Sequence, residues 1–422
     1  MAQYQSKLMQ TLTERGFLYQ CTNEDALDKE AASSAITGYI GFDCTAPSLH
    51  VGSLVQIMML RHLQRSGGRP IVLLGGGTTK IGDPSDKDKS RPILTPELIE
   101  QNKTGIQKVF AQFLNFDGPN AAIMVDNAEW LDALGYIDFL REVGKLFTIN
   151  RMITMETVKR RLDNEQPMTF LEFNYPLLQS YDFVELNRRY GCALQLGGSD
   201  QWGNIVTGVD LTRRMQGNEV FGFTTPLITT ASGGKMGKTA DGAVWLNGDP
   251  SLGADYHKSA YDYWQFWRNS DDADVGRFLR LFTDLPLDEI TILEALDGAD
   301  INKAKIRLAN EATAMLHGDD AAKKAEETAR ETFEKGGAAI GLPTFEVAKS
   351  ELESTDILTA AILVGLTASK GEGRRHIKGN ALKLNDERVT DDTRLLQSSD
   401  IDNEGLIKVS IGKKRHALIR PI

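Results

Sequence analysis

Between residues 37 and 240, short apolar runs alternate with stretches of helical periodicity, and this alternation constrains the fold more than any other feature of the chain. Strands buried on both faces read as continuous apolar runs, and the helices crossing between them carry apolar residues three and four apart. Runs at 37–43, 69–75, 121–126 and 192–197 predict strands, and Leu49, Leu54, Ile57, Leu60 and Leu63 predict a helix directly after the first. The expected core is an α/β, Rossmann-like parallel-sheet nucleotide-binding domain over residues 1–245, with a helical insertion at about 128–163. Strand signals vanish after residue 250, which predicts an α-helical domain over 246–335. Gly336, Gly337, Gly341 and Pro343 mark a linker over 336–355. A small α+β unit is expected at 356–422, helical as far as Lys378 and then a β-hairpin turning at Asn385-Asp386.

Several function classes fall away. No apolar stretch is long enough for a bilayer crossing, and the first 17 residues are polar and mixed in charge, unlike a signal peptide. Cys21, Cys44 and Cys192 lie far apart and the six histidines are scattered, which speaks against a disulfide framework and a structural zinc site. A reducing, cytoplasmic setting without membrane association is expected. The net charge of −10 would discourage a polyanionic partner if it were spread evenly. It is not: residues 356–422 hold 12 Lys and Arg against 9 Asp and Glu, leaving the acidity to the rest of the chain. A basic tail on an acidic body fits one surface for a polyanion.

Two common phosphate-binding patterns are missing. A Walker loop needs glycine where Ser232 stands before Gly237-Lys238-Thr239, and Gly75-Gly76-Gly77 is followed by Thr78, Thr79 and Lys80 instead of the last glycine of a dinucleotide fingerprint. Another route is offered by the segment from Tyr39 through Asp43, Thr45, His50, Gly52 and Ser53. There a strand delivers Asp43 and Thr45 to its carboxyl end and a helix opens at His50. Unpaired N–H groups and positive potential at a helix start suit phosphate, and the imidazole adds a donor. By itself His50 is equally a surface histidine on an amphipathic helix. The second piece is Gly233-Gly234-Lys235-Met236-Gly237-Lys238-Thr239, in which two lysines and a hydroxyl can wrap a triphosphate, or form a solvated basic turn. An H-x-G-x helix start about 185 residues ahead of a K-M-x-K-T loop is more specific than either piece.

These segments resemble the HIGH and KMSKS signatures of the class I aminoacyl-tRNA synthetases. Nearly the whole chain is similar to the bacterial tyrosyl-tRNA synthetases, through Gly82-Asp83-Pro84-Ser85, the run from Tyr175 through Gln179 to Asp182, the run from Gln195 through Gly198, Asp200, Gln201 and Trp202 to Asn204, and the aromatics of 261–267. The resemblance implies ATP-dependent activation of L-tyrosine and its transfer to tRNA(Tyr), with Mg2+ accompanying the nucleotide, no zinc, and a homodimer facing its copy through 128–163. Tyr39 and Asp182 would meet the substrate phenol, and Asp83, Tyr175 and Gln179 its ammonium, with Gln201 near its carboxylate. Asp43, Gly52, Ser53, Gly198 and Asp200 would hold the nucleoside. Thr45, His50, Lys235, Lys238 and Thr239, with Lys87 and Arg91 of the loop after residue 85, would surround the leaving pyrophosphate.

The helical domain would then handle the anticodon, partly through exposed members of Tyr261, Tyr263, Trp264 and Trp267, although aromatics at such spacing are more often packing core. The tail, with Arg374, Arg375, Lys378, Lys413, Lys414 and Arg415, resembles an S4-like RNA-binding domain. Three departures from the family pattern stand out: Ser53 replaces the second histidine of HIGH, Ile40 and Gln56 stand at variable nucleoside-facing positions, and Gly237 replaces the serine of KMSKS. A tryptophanyl enzyme and a catalytically inert RNA-binding scaffold are the rival readings; Tyr39 with Asp182 favours tyrosine, and the intact Lys235, Lys238, Asp83, Asp200 and His50 favour an enzyme.

Overall fold

The computed structural model describes residues 4–84, 94–229, 236, 238–239, 242–248, 256–334, 342, 344–402, 405–412 and 415–422. By packing, the chain divides into one unit of Met1–Asn247 with Asp271–Ala295 and a second of Gly248–Ser270 with Leu296–Ile422.

The first unit is built on a six-stranded sheet of β1 (Gln20–Cys21), β2 (Thr37–Phe42), β3 (Arg69–Leu74), β4 (Ile123–Asp126), β5 (Leu194–Gly198) and β6 (Phe221–Thr225), in the order β1-β6-β5-β2-β3-β4. All neighbours are parallel except β1, which runs antiparallel along β6. From β2 the chain winds outward to β3 and β4, then returns to the other side of β2 with β5 and β6. Strand order therefore reverses between β2 and β5. These two strands pair only at Gly38–Leu194 and Tyr39–Gln195, so their carboxyl halves leave a crevice, where open α/β sheets bind ligands.

The helix Val51–Arg65 follows β2 as its apolar spacing predicts, burying Leu54, Ile57, Leu60 and Leu63. The helix Phe170–Tyr190 opens with a capping box between Thr169 and Glu172 and closes at Gly191, whose φ of 63° suits a residue without Cβ. The expected amphipathic helix of the insertion is instead four short helices, Ala128–Leu131, Tyr136–Glu142, Ile149–Met152 and Glu156–Asp163. Gly135 and Gly144 fall at two of the breaks. A short hairpin of β7 (Lys238–Thr239) and β8 (Gly242–Ala243) completes this unit's strands among the described residues.

The helical stretch drawn from sequence over 246–335 is shared between the units. Helices Asp272–Phe282 and Leu287–Glu294 pack with the first, where Arg61 and Arg65 both pair with Asp284. In the second unit, Ala260–Arg268, Ile301–His317 and Asp319–Glu334 pack together. This corrects the expectation of exposed aromatics: Tyr261, Tyr263, Trp264 and Trp267 are all buried. Trp264 Nε1 donates to Asn310 Oδ1 at 2.7 Å, and Tyr263 meets Trp267 and His317 edge to face. At four residues in seven, such a stripe covers both the helix interface and the flank beside it, and here it forms core.

The tail contains helices Ile357–Leu363 and Lys370–Lys378 and a sheet of β9 (Thr344–Val347), β10 (Leu382–Leu384), β11 (Glu387–Arg388), β12 (Ile407–Ile411) and β13 (Arg415–Pro421), in the order β11-β10-β12-β13-β9. The expected hairpin is β10–β11. Asn385 and Asp386 have φ of 48° and 67°, the left-handed pair that a two-residue turn requires. Arg374 pairs with Asp392 at 2.7 Å, while Lys413 and Lys414 lie outside the described residues. No described helix is long and apolar enough to cross a membrane.

Candidate active site

A cavity of about 330 Å³ opens at the carboxyl ends of β2 and β5. At its floor, β2 supplies Tyr39, which is 1% exposed and whose hydroxyl has no hydrogen-bond partner among the described residues. The long helix behind it supplies Asp182, 2% exposed. Its two oxygens accept from Asn127 Nδ2 at 3.0 Å and Trp130 Nε1 at 2.8 Å. Burial pushes the Asp182 carboxyl up to about 8, with Asp43 and Asp126 adding repulsion that the two donors only partly offset. Burial beside Asp182 likewise holds the Tyr39 phenol well above its usual value. An orphaned hydroxyl and a carboxylate at the end of a buried slot are ready for a ligand that both donates and accepts.

A polar wall rises from this floor. Asp43, one residue past β2, accepts from Thr78 Oγ1 at 2.9 Å and Tyr175 OH at 3.3 Å. Across the crevice Gln201 Nε2 reaches Asp83 Oδ2 at 3.0 Å and Asp200 Oδ2 at 3.2 Å. Its Oε1 accepts from Gln179 at 3.3 Å and Asn204 at 3.2 Å. Tyr175, Gln179 and Asp182 lie at i, i+4 and i+7 of one helix, so a single face aims all three at the cavity.

The rim is the helix start. His50 is the N-cap of Val51–Arg65, and its Nδ1 accepts from Gly52 N at 3.0 Å. With Nδ1 accepting, the neutral ring carries its proton on Nε2. Gly52 is needed for a close approach. A Cβ there would lie 2.6 Å from His50 Cε1 and 2.8 Å from the Met236 carbonyl oxygen. The two distant signatures therefore touch at this glycine. Val51 N and Leu246 N donate to Val244 O and Leu49 O, both at 2.8 Å, which ties the segment after the lysine loop to the helix start. Trp245 meets His50 edge to face at 6.1 Å.

Of the residues singled out from sequence, Tyr39, Asp43, Thr45, His50, Ser53, Asp83, Tyr175, Gln179, Asp182, Gly198, Asp200 and Gln201 line this one cavity, and Gly52 underlies His50. Lys238 and Thr239 are described by backbone alone, in β7; Lys87, Arg91 and Lys235 lie outside the described residues. Sequence reasoning missed Asn127 and Trp130, the donors that hold the buried Asp182, and Thr78, which donates to Asp43. Asn127 carried a usable signal, because it immediately follows the carboxyl end of β4. Trp130, inside the insertion, carried none.

The family described as tRNA synthetases class I (W and Y) matches residues 31–334, and the tyrosine–tRNA ligase SYY-like C-terminal domain matches residues 325–419. The chain is 58% identical to a tyrosine–tRNA ligase of Methylocella silvestris, over 98% of each chain. It is 56% identical to one of Caulobacter sp. strain K31, over 100% of this chain and 99% of the relative. A solved, C-terminally truncated mitochondrial tyrosyl-tRNA synthetase of Aspergillus nidulans superposes with a TM-score of 0.69 at 29% identity, covering 78% of this chain and 94% of that one.

Proposed function

The chain belongs to the tyrosine–tRNA ligases of the class I synthetases, and from that membership we propose how its residues divide the work. The reaction joins L-tyrosine to ATP as tyrosyl-adenylate, releasing pyrophosphate, and then transfers the tyrosyl group to the 3′-terminal adenosine of tRNA(Tyr), releasing AMP.

The observation that carries the choice of amino acid is the buried pair of Tyr39 and Asp182. A phenol donates to Asp182 and accepts from Tyr39; a phenylalanine leaves the buried Tyr39 hydroxyl unpaired and withholds from Asp182 the donor that would join Asn127 and Trp130, at a cost of several kcal/mol. Asp83, Tyr175 and Gln179 take the ammonium, and Gln201 orients the carboxylate.

That carboxylate is the nucleophile, already ionised, so no catalytic base is needed. Its oxygen bonds to the α-phosphorus as the bond to pyrophosphate breaks, and the protein's part is alignment and stabilisation of the departing charge. His50 Nε2 and Thr45 donate from the helix start, with Lys235, Lys238, Thr239, Lys87 and Arg91 around the pyrophosphate; Mg2+ carried in with the nucleotide would offset the charge on the phosphates. Asp43, Gly52, Ser53, Gly198 and Asp200 hold the nucleoside. In the second step a terminal ribose hydroxyl attacks the tyrosyl carbonyl and AMP leaves with the bonding pair.

The remaining assignments are of the same kind. Residues 1–245 carry catalysis, 246–335 meet the anticodon, and 356–422 bind RNA as an S4-like domain after the 336–355 linker. The chain works in the cytoplasm as a homodimer paired through the insertion, where exposed Tyr136, Ile137, Ile149 and Leu162 support a protein-covered face. Amino-acid-dependent ATP–pyrophosphate exchange tests the central reading. Exchange with tyrosine and not with tryptophan or phenylalanine is expected; exchange driven by tryptophan, or none at all, would overturn it.

A further inference from the structure

A second cavity of about 280 Å³ lies beside the first within the same unit, and Asp200 lines both. Its other walls include Tyr19, Gln20, Arg160, Trp202 and Leu227. Tyr19 is 58% exposed and Leu227 49%, so this cavity offers an aromatic face and an aliphatic face to solvent next to a guanidinium. Tyr19 is held there by the backbone. Its N–H donates to Thr224 O at 2.9 Å, and the pairing of Gln20 with Thr224 sets Tyr19 beside Thr225, the last residue of β6. The antiparallel edge strand β1 thus carries an aromatic ring to the carboxyl edge of the parallel sheet, the edge at which the first cavity opens.

We propose that this second cavity receives the 3′-terminal base of tRNA, stacked on Tyr19 with Trp202 and Leu227 alongside, while Arg160 meets the backbone phosphate. The inference rests on the two-step reaction above. The acceptor ribose must come within bonding distance of an anhydride buried in the first cavity, and Asp200 is a wall shared by both. A base has a π-face that an exposed ring can hold without reading its identity, and an arginine beside it can neutralise one phosphate. The space suits one nucleoside, which leaves the rest of the acceptor strand outside.

Single-turnover transfer from preformed tyrosyl-adenylate tests this in the full-length enzyme, using intact tRNA and tRNA whose terminal nucleotide lacks its base. Stacking predicts that Tyr19→Ala slows transfer or raises the KM for tRNA roughly tenfold, with Tyr19→Phe close to the parent. The abasic tRNA should lose a similar factor with the parent enzyme and nothing further with Tyr19→Ala, since both changes delete one contact. Two losses that multiply, or an abasic terminus that transfers as fast as the intact one, would overturn the proposal. A raised KM for ATP in Tyr19→Ala would also overturn it, by assigning the cavity to the first step. Tyrosine-dependent exchange by the parent enzyme separates these failures from a failure of the synthetase reading, since its absence would indict the latter alone.

Discussion

The two ends of the helix Val51–Arg65 each present a histidine, and they are built in opposite ways. At the amino end His50 caps the helix through Nδ1 and lines the cavity with Ser53, Gln56 and the carboxyl ends of two strands. At the other end His62 is 3% exposed, beside Phe17 and close to Arg15, Arg61, Arg65 and Asp284. There the charges close on one another. Arg61 meets Asp284 Oδ2 at 2.6 Å, Arg65 pairs with the same carboxylate, and Arg15 donates to the carbonyls of Arg280, Thr283 and Leu285. One end keeps polar groups available to a ligand; the other consumes them in fixing the helix. A helix whose amino end lines the cavity is anchored at the end fifteen residues away, where rigidity does not compete with ligand binding.

The largest effect should come from the cavity floor that the amino end faces. Asp182→Ala is expected to abolish most discrimination between tyrosine and phenylalanine in exchange assays, an asymmetry for which enzymes of this type are the standard illustration. Unchanged discrimination would remove Asp182 from the phenol site. Next, His50→Asn keeps an N-cap but deletes the Nε2 donor, so adenylate formation should slow by about 10²–10³-fold with tyrosine affinity retained. His50→Ala should match that rate loss and in addition lower the melting temperature, through loss of a cap worth about 1 kcal/mol. Parallel losses of rate and affinity in His50→Asn would erase the contrast between the two ends.

At the anchoring end, Asp284→Ala strands two guanidinium groups. It should destabilise the chain by about 2–4 kcal/mol in denaturant titration while leaving tyrosine-dependent exchange intact at low temperature. The smallest effect is in the pH profile of melting. The Asp182 carboxyl sits at about 8 against an ordinary 3.8, so the folded chain binds the extra proton in that window and stability falls as pH rises through it. Burial, with Arg15 adding repulsion, lowers His62 to about 3 from 6.5, so there the unfolded chain binds the proton and stability falls as pH drops below 6.5. Asp182→Ala should flatten the alkaline limb and His62→Gln the acid limb. Exchanged assignments of the two limbs would show that the difference between the ends is not electrostatic.

Much of this was legible in the chain. The four strands expected from apolar runs appear as β2, β3, β4 and β5 within about two residues, because a strand covered on both faces has to be apolar throughout. The edge strand β1 gave no such signal: it is two residues long and half-buried. The insertion was legible as helical but not as four pieces, since amphipathic spacing carries across a break where a glycine interrupts the backbone. The aromatics at 261–267 left core and exposed surface both open, because spacing gives the face of a helix and not what covers it; helices Ile301–His317 and Asp319–Glu334 cover this one.

The sequence by itself determined four of the buried strands, the cap-and-glycine chemistry at His50 and Gly52, and the hairpin at Asn385-Asp386, since each depends on residues close to one another in the chain. Only the tertiary structure decided that Met236 lies against Gly52, that Asn127 and Trp130 hold Asp182, and that Tyr19 reaches the edge where the chemistry occurs. Those contacts join segments separated by tens to hundreds of residues. No local preference encodes them; they follow from the winding of the strands about β2, which gathers distant carboxyl ends at a single edge.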